Sequence, residues 1–388
     1  MIPRLFPNNA KPVTKETGTG YTWYSGGFQT LGYGSVPDAI EGYVDEERNG
    51  GFTLTMTVPA ETAYINKLNI GTLIVADASP QQKNQAFEIA KVTKTLNGRV
   101  QVYAEHITYR LLYSILRPFP SAGVQGLNYV FGRLRTNKST DYYIEGNDFY
   151  FDWTGGFQPY YSYLTEFCSV KQFLQGREGS VVDTFGGCLK YDNFTVYLCA
   201  NRGTDNGVKI LYGKNLTDAS AEYNNQTEST ASTILPYYKK DDRYITGTLI
   251  ELQNGTTSLY AYKRAICKDF SSELSNLPQD ATDATITEKL NTKARAWANA
   301  HLRGVPDVNL KTSFIPLHQT VEYADLANIE SVEIDDTVHV HIPTLDIDVD
   351  AKVIKTRYNF LQDRYDSVEV GNFRTSINQA IRSVKGAY

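Results

Sequence analysis

The side chains best suited to proton transfer or metal ligation near neutral pH are five histidines, His106, His301, His318, His339 and His341. His339 and His341 alternate with one intervening residue, which on a strand puts both on one face, where such a pair could hold a metal ion if repeated by rotational symmetry. The nearest carboxylates, Asp346, Asp348 and Asp350, alternate in the same way, as an ordinary solvated strand face does, so the plainer reading is two polar residues on a β surface. Asp-x-Asp-x-Asp is also the start of a calcium loop, but the required Gly and the closing Glu are missing. Four cysteines, Cys168, Cys188, Cys199 and Cys267, lack CxxC pairing and a local His partner, and read as small buried hydrophobes rather than ligands or nucleophiles. A Cys188 to Cys199 bridge across a hairpin is conceivable. Glycoside hydrolysis needs only two carboxylates, which a sequence does not place in space, so a muramidase reading stays open without a motif behind it. The expectation is a chain with no catalytic residues, no metal and no cofactor.

A different chemistry is offered by residues 141–167, where 11 of 27 positions are aromatic. Tyr142, Phe149, Phe151, Trp153, Tyr160 and Tyr163 could stack sugar rings. The commoner use of such a block is packing in a core or a subunit interface.

Whatever positions these residues is mostly β. Twenty-eight Tyr and 17 Phe against two Met favour pleated, half-buried surfaces, and a hydrophobic fraction of 41% supports packed cores in a 388-residue, multidomain chain. A net charge of −5 supplies no basic face, so no stable nucleic-acid binding is expected. No stretch has the apolar length of a signal peptide or a membrane span.

Period-two alternation over Phe52 to Val58, Thr72 to Val75, Ala86 to Val92 and Arg99 to Tyr103 predicts antiparallel strands in a barrel or sandwich, with turns at Asn49-Gly-Gly51 and Asn97-Gly98. Thr108 to Leu116 reads as a short helix stopped by Pro118 and Pro120. Asn215 to Asp242, polar and without apolar periodicity, reads as a long exposed loop. Thr285 to Arg303 reads as a helix with Ile286, Leu290, Ala294, Trp297, His301 and Leu302 on one face, a Thr285–Glu288 capping box, and Gly304 and Pro306 at its end. Alternation returns over Asp336 to His341, Ile347 to Ile354 and Ser367 to Val370. Ala90-Lys-Val-Thr-Lys-Thr95 and Ala351-Lys-Val-Ile-Lys-Thr356 differ at one position, each preceded by an apolar strand and followed by Val-x-Val, which predicts two copies of one barrel. The fold class is therefore α+β, mainly β: two β-barrels with an α+β insertion between them. The expected domains are 1–117 (first β-barrel), 118–265 (α+β middle), 266–310 (helical connector) and 311–388 (second β-barrel and C-terminal tail).

Several phrases resemble the N-terminal, baseplate-hub region of bacteriophage tail-associated lysins, the prophage endopeptidase tail family. They are Phe28 to Ala39, Asp45-Glu-Glu-Arg-Asn-Gly50, Ala104-Glu-His-Ile-Thr-Tyr109, Gly176 to Ser180, Phe185-Gly-Gly187, Asp192-Asn-Phe194, Arg202-Gly-Thr-Asp-Asn-Gly-Val208 through Tyr212-Gly-Lys-Asn215, and Val368-Glu-Val-Gly-Asn372. Cys188 departs from the pattern, standing where an acidic residue is expected. The aromatic block and the polar 215–242 stretch look like local elaborations. The resemblance implies a homotrimer of doubled, tube-like barrels that closes the tail tube at the virion's tail tip, beneath a hexameric distal tail protein ring. It also implies tape measure protein, receptor-binding protein and the host cell surface as partners. The family's hydrolase is usually a further C-terminal domain, for which the residues after Gly371 leave no room, so the expectation is a short, non-lytic member or a piece of a longer chain. A carbohydrate-binding adhesin and a peptidoglycan hydrolase are the competing readings.

Overall fold

The computed structural model describes residues 2–371 apart from 13, 19–20, 120–123, 137–148, 162–163, 165, 178, 212–215, 225–227, 241–242, 253–262, 272–273, 275–276, 279–280, 303–306, 315–331 and 343–346. Two compact units result, Met1–Ser220 with Leu310–Phe373, and Ala221–Asn309 with Arg374–Tyr388.

In the first unit the alternating runs form strands. From the N-terminal half come β1 (Arg4–Phe6), β2 (Glu41–Glu47), β3 (Phe52–Pro59), β4 (Leu73–Ala76), β5 (Gln85–Lys94) and β6 (Arg99–His106). From the C-terminal half come β7 (Asp205–Leu211), β8 (Leu216–Asn224), β9 (Asp307–Phe314), β10 (Thr337–Ile342), β11 (Ile347–Asn359) and β12 (Arg364–Gly371). Apolar alternation decides the buried face: β3 buries Phe52, Leu54, Met56 and Val58, and β6 buries Val100, Val102 and Ala104.

The first set is hydrogen-bonded in the order β2-β3-β6-β5-β4-β1, and the second in the order β8-β9-β12-β11-β10-β7. The two orders match strand for strand, although β1 runs antiparallel to β4 and its counterpart β7 runs parallel to β10. Within each, an antiparallel meander holds the repeated phrase: β4-β5-β6 in one and β10-β11-β12 in the other. Val92 lies opposite Val102 and Val353 opposite Val370, so Ala-Lys-Val meets the second valine of Val-x-Val both times. Each middle strand also slips register within the phrase, at Ala90 (between Ile89 and Lys91) in one and at Ile354 (between Val353 and Lys355) in the other. A bulge re-aims its strand. Beyond its bulge, β11 leaves β10 and pairs antiparallel with β2, from Lys355 opposite Glu47 to Asn359 opposite Tyr43. That pairing joins both sets, with the short strand Gly34–Ser35, into one 13-stranded sheet.

After β6 the expected short helix is a 3-10 helix, Ile107–Tyr113, followed by strand Ile115–Leu116. The middle carries helix Leu127–Thr136 and a three-stranded sheet of Tyr150–Thr154, Thr195–Cys199 and Cys188–Asp192. The 215–242 stretch is not a loop: β8 and strand Thr233–Lys240 occupy most of it. Its β-branched and aromatic residues, with Ile234 fully buried, outweigh the polar composition.

In the second unit, strands Thr233–Lys240, Arg243–Thr246, Ile250–Glu251 and Ala265–Asp269 form a sheet, and helix Asp283–His301 packs against it through Leu290, Ala294 and Ala298. The helix begins earlier than the Thr285–Glu288 signal suggests. Thr282, in extended conformation, is the N-cap and accepts from the Thr285 N–H, with Asp283 favourably placed in the first turn. Ile286 and Leu302 are buried as expected, but His301 is exposed and stacks on Trp297 at 4.6 Å. Gly304 and Pro306 lie outside the described residues. No helix among the described residues is long and apolar enough to cross a membrane.

Candidate functional site

The polar residues of the first unit converge on one node, and the phrases singled out in the sequence supply it. Strand alternation turns Glu46 of β2 inward, to 3% exposure, where an unpaired carboxylate is costly. Its partner is the buried Arg202, 2.7 Å away. Arg202 also donates through Nη1 to the Leu189 carbonyl at 3.1 Å. Arg48 donates to Asp335 at 2.6 Å. Asn49, in the left-handed region at φ 49°, donates to the Gly187 carbonyl and accepts the Leu189 N–H. Gly203 is fixed by close approach: a Cβ there would lie 2.1 Å from the Asp335 carbonyl carbon. Asp336 accepts the N–H groups of Thr204 and Glu333, each at 2.7 Å. The 45–50, 185–187 and 202–208 phrases are thus three sides of one hydrogen-bonded lock, whose fourth side is the turn 333–336.

A cleft of about 490 Å³ opens beside this lock, lined by Gln82, Lys83, Asn84, Lys190, Arg202 and Glu333 among others. Burial, reinforced by the Glu46 charge, pushes the Glu333 carboxyl up to about 7, although a hydrogen bond from Ser79 and the Arg202 charge pull it down. Burial likewise opposes the Arg202 charge, but Glu46 reverses the effect and holds the guanidinium protonated. The Cys188 thiol is pushed up to about 11 by burial, against the pull of Arg202 and Arg48. An acidic side chain at 188 would feel both arginines, which accounts for the acid that the resemblance leads one to expect there. Cys188 and Cys199 lie directly opposite each other as buried free thiols, Cys168 is buried, and Cys267, against expectation, is exposed on the outer face of its strand.

No histidine or cysteine lines the cleft. His106 is fully buried, with Nδ1 2.9 Å from Thr108 Oγ1 and Nε2 3.2 Å from Gln85 Oε1, and its ring is stacked on Phe52 at 4.4 Å. Burial, then the Lys171 charge, drives its pKa well below the ordinary value, so the neutral ring caps the 3-10 helix by accepting the Thr108 N–H. That is the physical content of the Ala104-Glu-His-Ile-Thr-Tyr109 phrase. His339 pairs with Asp350 at 2.9 Å on the strand face, His341 is exposed, and His318 and Asp346 lie outside the described residues. Among the described residues no group of three or more His, Cys, Asp and Glu is arranged to hold a metal. The arrangement can cross-link chain segments; it offers no nucleophile with an adjacent base.

Of the aromatic candidates, Phe149 and Phe151 are fully buried, and Trp153 is half-buried. Phe151 and Trp153 flank Phe131 at 6.3 and 5.9 Å, and Phe149 packs on Phe194 at 5.1 Å. Helix Leu127–Thr136 thus lies on strand Tyr150–Thr154 through these rings. Tyr142 and Tyr163 are outside the described residues; Tyr160 falls on strand Tyr160–Tyr161.

Comparison with known proteins gives a consistent answer. Residues 204–381 match the model of the prophage endopeptidase tail family. No curated protein matches. The fold is similar to the crystal structure of prophage tail protein gp18 from Listeria monocytogenes, with TM-score 0.58, 14% identity, and coverage of 91% of this chain and 94% of that one. It is also similar to the 43 kDa tail protein of prophage MuSo2 from Shewanella oneidensis, with TM-score 0.52, 10% identity, and coverage of 96% and 97%. The family match over residues 204–381 covers the 204–208 end of the 202–208 phrase and the 333–336 turn of the Glu46–Arg202 lock, and in fold the chain is similar to prophage tail proteins.

Proposed function

We propose that this chain is a structural tail-tip hub: a homotrimer whose doubled, tube-like barrels close the distal end of the tail tube in the virion. The carrying observation is that one six-strand order occurs twice in one chain and is fused by β11 on β2. Three copies then present six quasi-equivalent units, so a threefold assembly joins a sixfold distal tail ring without mismatched interfaces. In this reading the tape measure protein lies above, and a receptor-binding protein and the host surface below. Copies each carrying −5 around a channel repel DNA and keep it moving rather than bound. The lock and cleft serve cohesion, not hydrolysis, and the rings of Phe149, Phe151 and Trp153 serve packing rather than sugar binding.

The test is stoichiometry. Mixed with its distal tail ring and counted by mass photometry, the protein should add three copies per six-membered ring. Six copies, or no binding, refutes the hub reading. Clearing of a peptidoglycan zymogram by the purified chain, lost on one carboxylate substitution, would establish a hydrolase instead.

A further inference from the structure

Besides the opposite directions of β1 on β4 (antiparallel) and β7 on β10 (parallel), the two strand sets differ at one further place. Past its bulge, β11 is covered on its outer side by β2. Past its own bulge, which falls three positions earlier in the repeated phrase, β5 has β6 on one side and, among the described residues, no strand on the other. The difference shows in accessibility: Lys91, Thr93 and Lys94 are exposed, whereas Lys355 and Arg357 are half-buried. Leu96, at the tip of the same hairpin, is fully exposed.

Hydrogen bonding identifies the bare groups. Thr95 N–H donates to the Arg99 carbonyl, so the bonded positions of the β5-β6 ladder are Thr95, Thr93 and Lys91. The N–H and C=O groups of Val92 and Lys94 therefore face away from β6, toward the uncovered side. At the covered place the outward backbone is in use, with Arg48 N–H donating to the Ile354 carbonyl. An uncovered strand edge is a template for another strand.

The matched order also says which strand is missing. The counterpart of β2 in the second set is β8, at the end of the sheet, with nothing on its outer edge among the described residues. Charge agrees. β11 brings Lys355 and Arg357 against Glu47 and Asp45 of β2, with Arg357 and Asp45 3.4 Å apart. β5 brings Lys91 on one face and Lys94 on the other, and β8 carries Asp218 and Glu222 with no basic residue, so the two strands are of opposite charge. We propose that the bare edge Lys91–Lys94 is the seat for β8 of a second copy of this chain, which extends the sheet there as β2 does on β11. Repeated around a ring, the contact would make every junction between β-units alike, alternately within and between chains.

The proposal rests on the hub reading, and the experiment separates the two. Lys94→Pro removes the outward N–H and leaves the β5-β6 bonds intact, whereas Lys94→Ala keeps it. Losing an edge hydrogen bond should weaken self-association about tenfold in Lys94→Pro relative to Lys94→Ala, by sedimentation of the full chain. In the wild-type assembly, amide exchange in the peptide spanning residues 90–96 should slow relative to the dissociated chain, a readout independent of how the variants fold. A trimer in which residues 90–96 exchange as fast as in the monomer, or which Lys94→Pro leaves as tight as Lys94→Ala, overturns the proposal alone. A wild-type chain that stays monomeric both by itself and with the distal tail ring overturns the hub reading and the proposal together.

Discussion

At the scale of single residues, the first unit keeps several ionisable groups in places that oppose their charge. Lys171 is buried, donates from Nζ to the Tyr191 hydroxyl at 2.8 Å, and lies over the Tyr109 and Tyr191 rings. Burial depresses its pKa to about 7, with Glu105 pulling the other way. A lysine depressed in the folded state contributes stability that is fully present above its unfolded value near 10.5 and lost as pH falls through 7. Unfolding free energy measured with urea should therefore rise from pH 7 to pH 9. Lys171→Met should remove that part of the rise, and an unchanged slope in the variant contradicts the assignment. Glu333 acts in the opposite sense over a lower range: raised to about 7, it contributes stability present below pH 4.5 and lost as pH climbs to 7. None of this was legible in the sequence. Nothing in a run of letters says that Glu46 faces Arg202 or that Lys171 enters an aromatic box, because pairings distant in the chain are set by tertiary packing.

At the scale of elements, more was readable, and the errors have local causes. Apolar alternation located β3 to β6 and β10 to β12, where one face is buried and period two follows from that, but it did not find β1, β2, β8 or β9. The polar 215–242 stretch misled, since a strand held by backbone pairing needs no apolar stripe of its own. The helix Asp283–His301 was found from its apolar face, yet its start was misplaced because Thr282 and Thr285 are both capping residues three apart. Geometry distinguishes them: the Thr282 hydroxyl accepts the Thr285 N–H, and Thr285 already lies inside the helix. Thr282→Ala should cost about 1 kcal/mol, and Thr285→Ala less, in the unfolding of the second unit. Equal losses from both would return the cap to Thr285.

At the scale of the whole chain, the sequence shows a repeat but not how its copies depend on one another. A repeated phrase is compatible with two independent barrels on a string, each with its own unfolding transition. The pairing of β11 with β2 and the lock around Glu46 argue against independence for the strands of the first unit. Residues 1–117 in isolation would keep β1 to β6 but would lose Arg202 from Glu46, Asp335 from Arg48 and β11 from the edge of β2. Leaving a buried charge without its partner costs about 3–5 kcal/mol, a large share of the stability of an ordinary domain. The bared β2 edge adds a site for non-native pairing. The fragment 1–117 should therefore aggregate or melt without a cooperative transition, while the full chain should show one transition shared by the N-terminal strands and by β10 to β12. The check is thermal unfolding followed by amide exchange, comparing peptides from β3 and β12. A soluble, monomeric 1–117 fragment with a sharp melt, or β3 and β12 opening at separate temperatures in the full chain, would show that the two copies fold independently and that their fusion is only a tether.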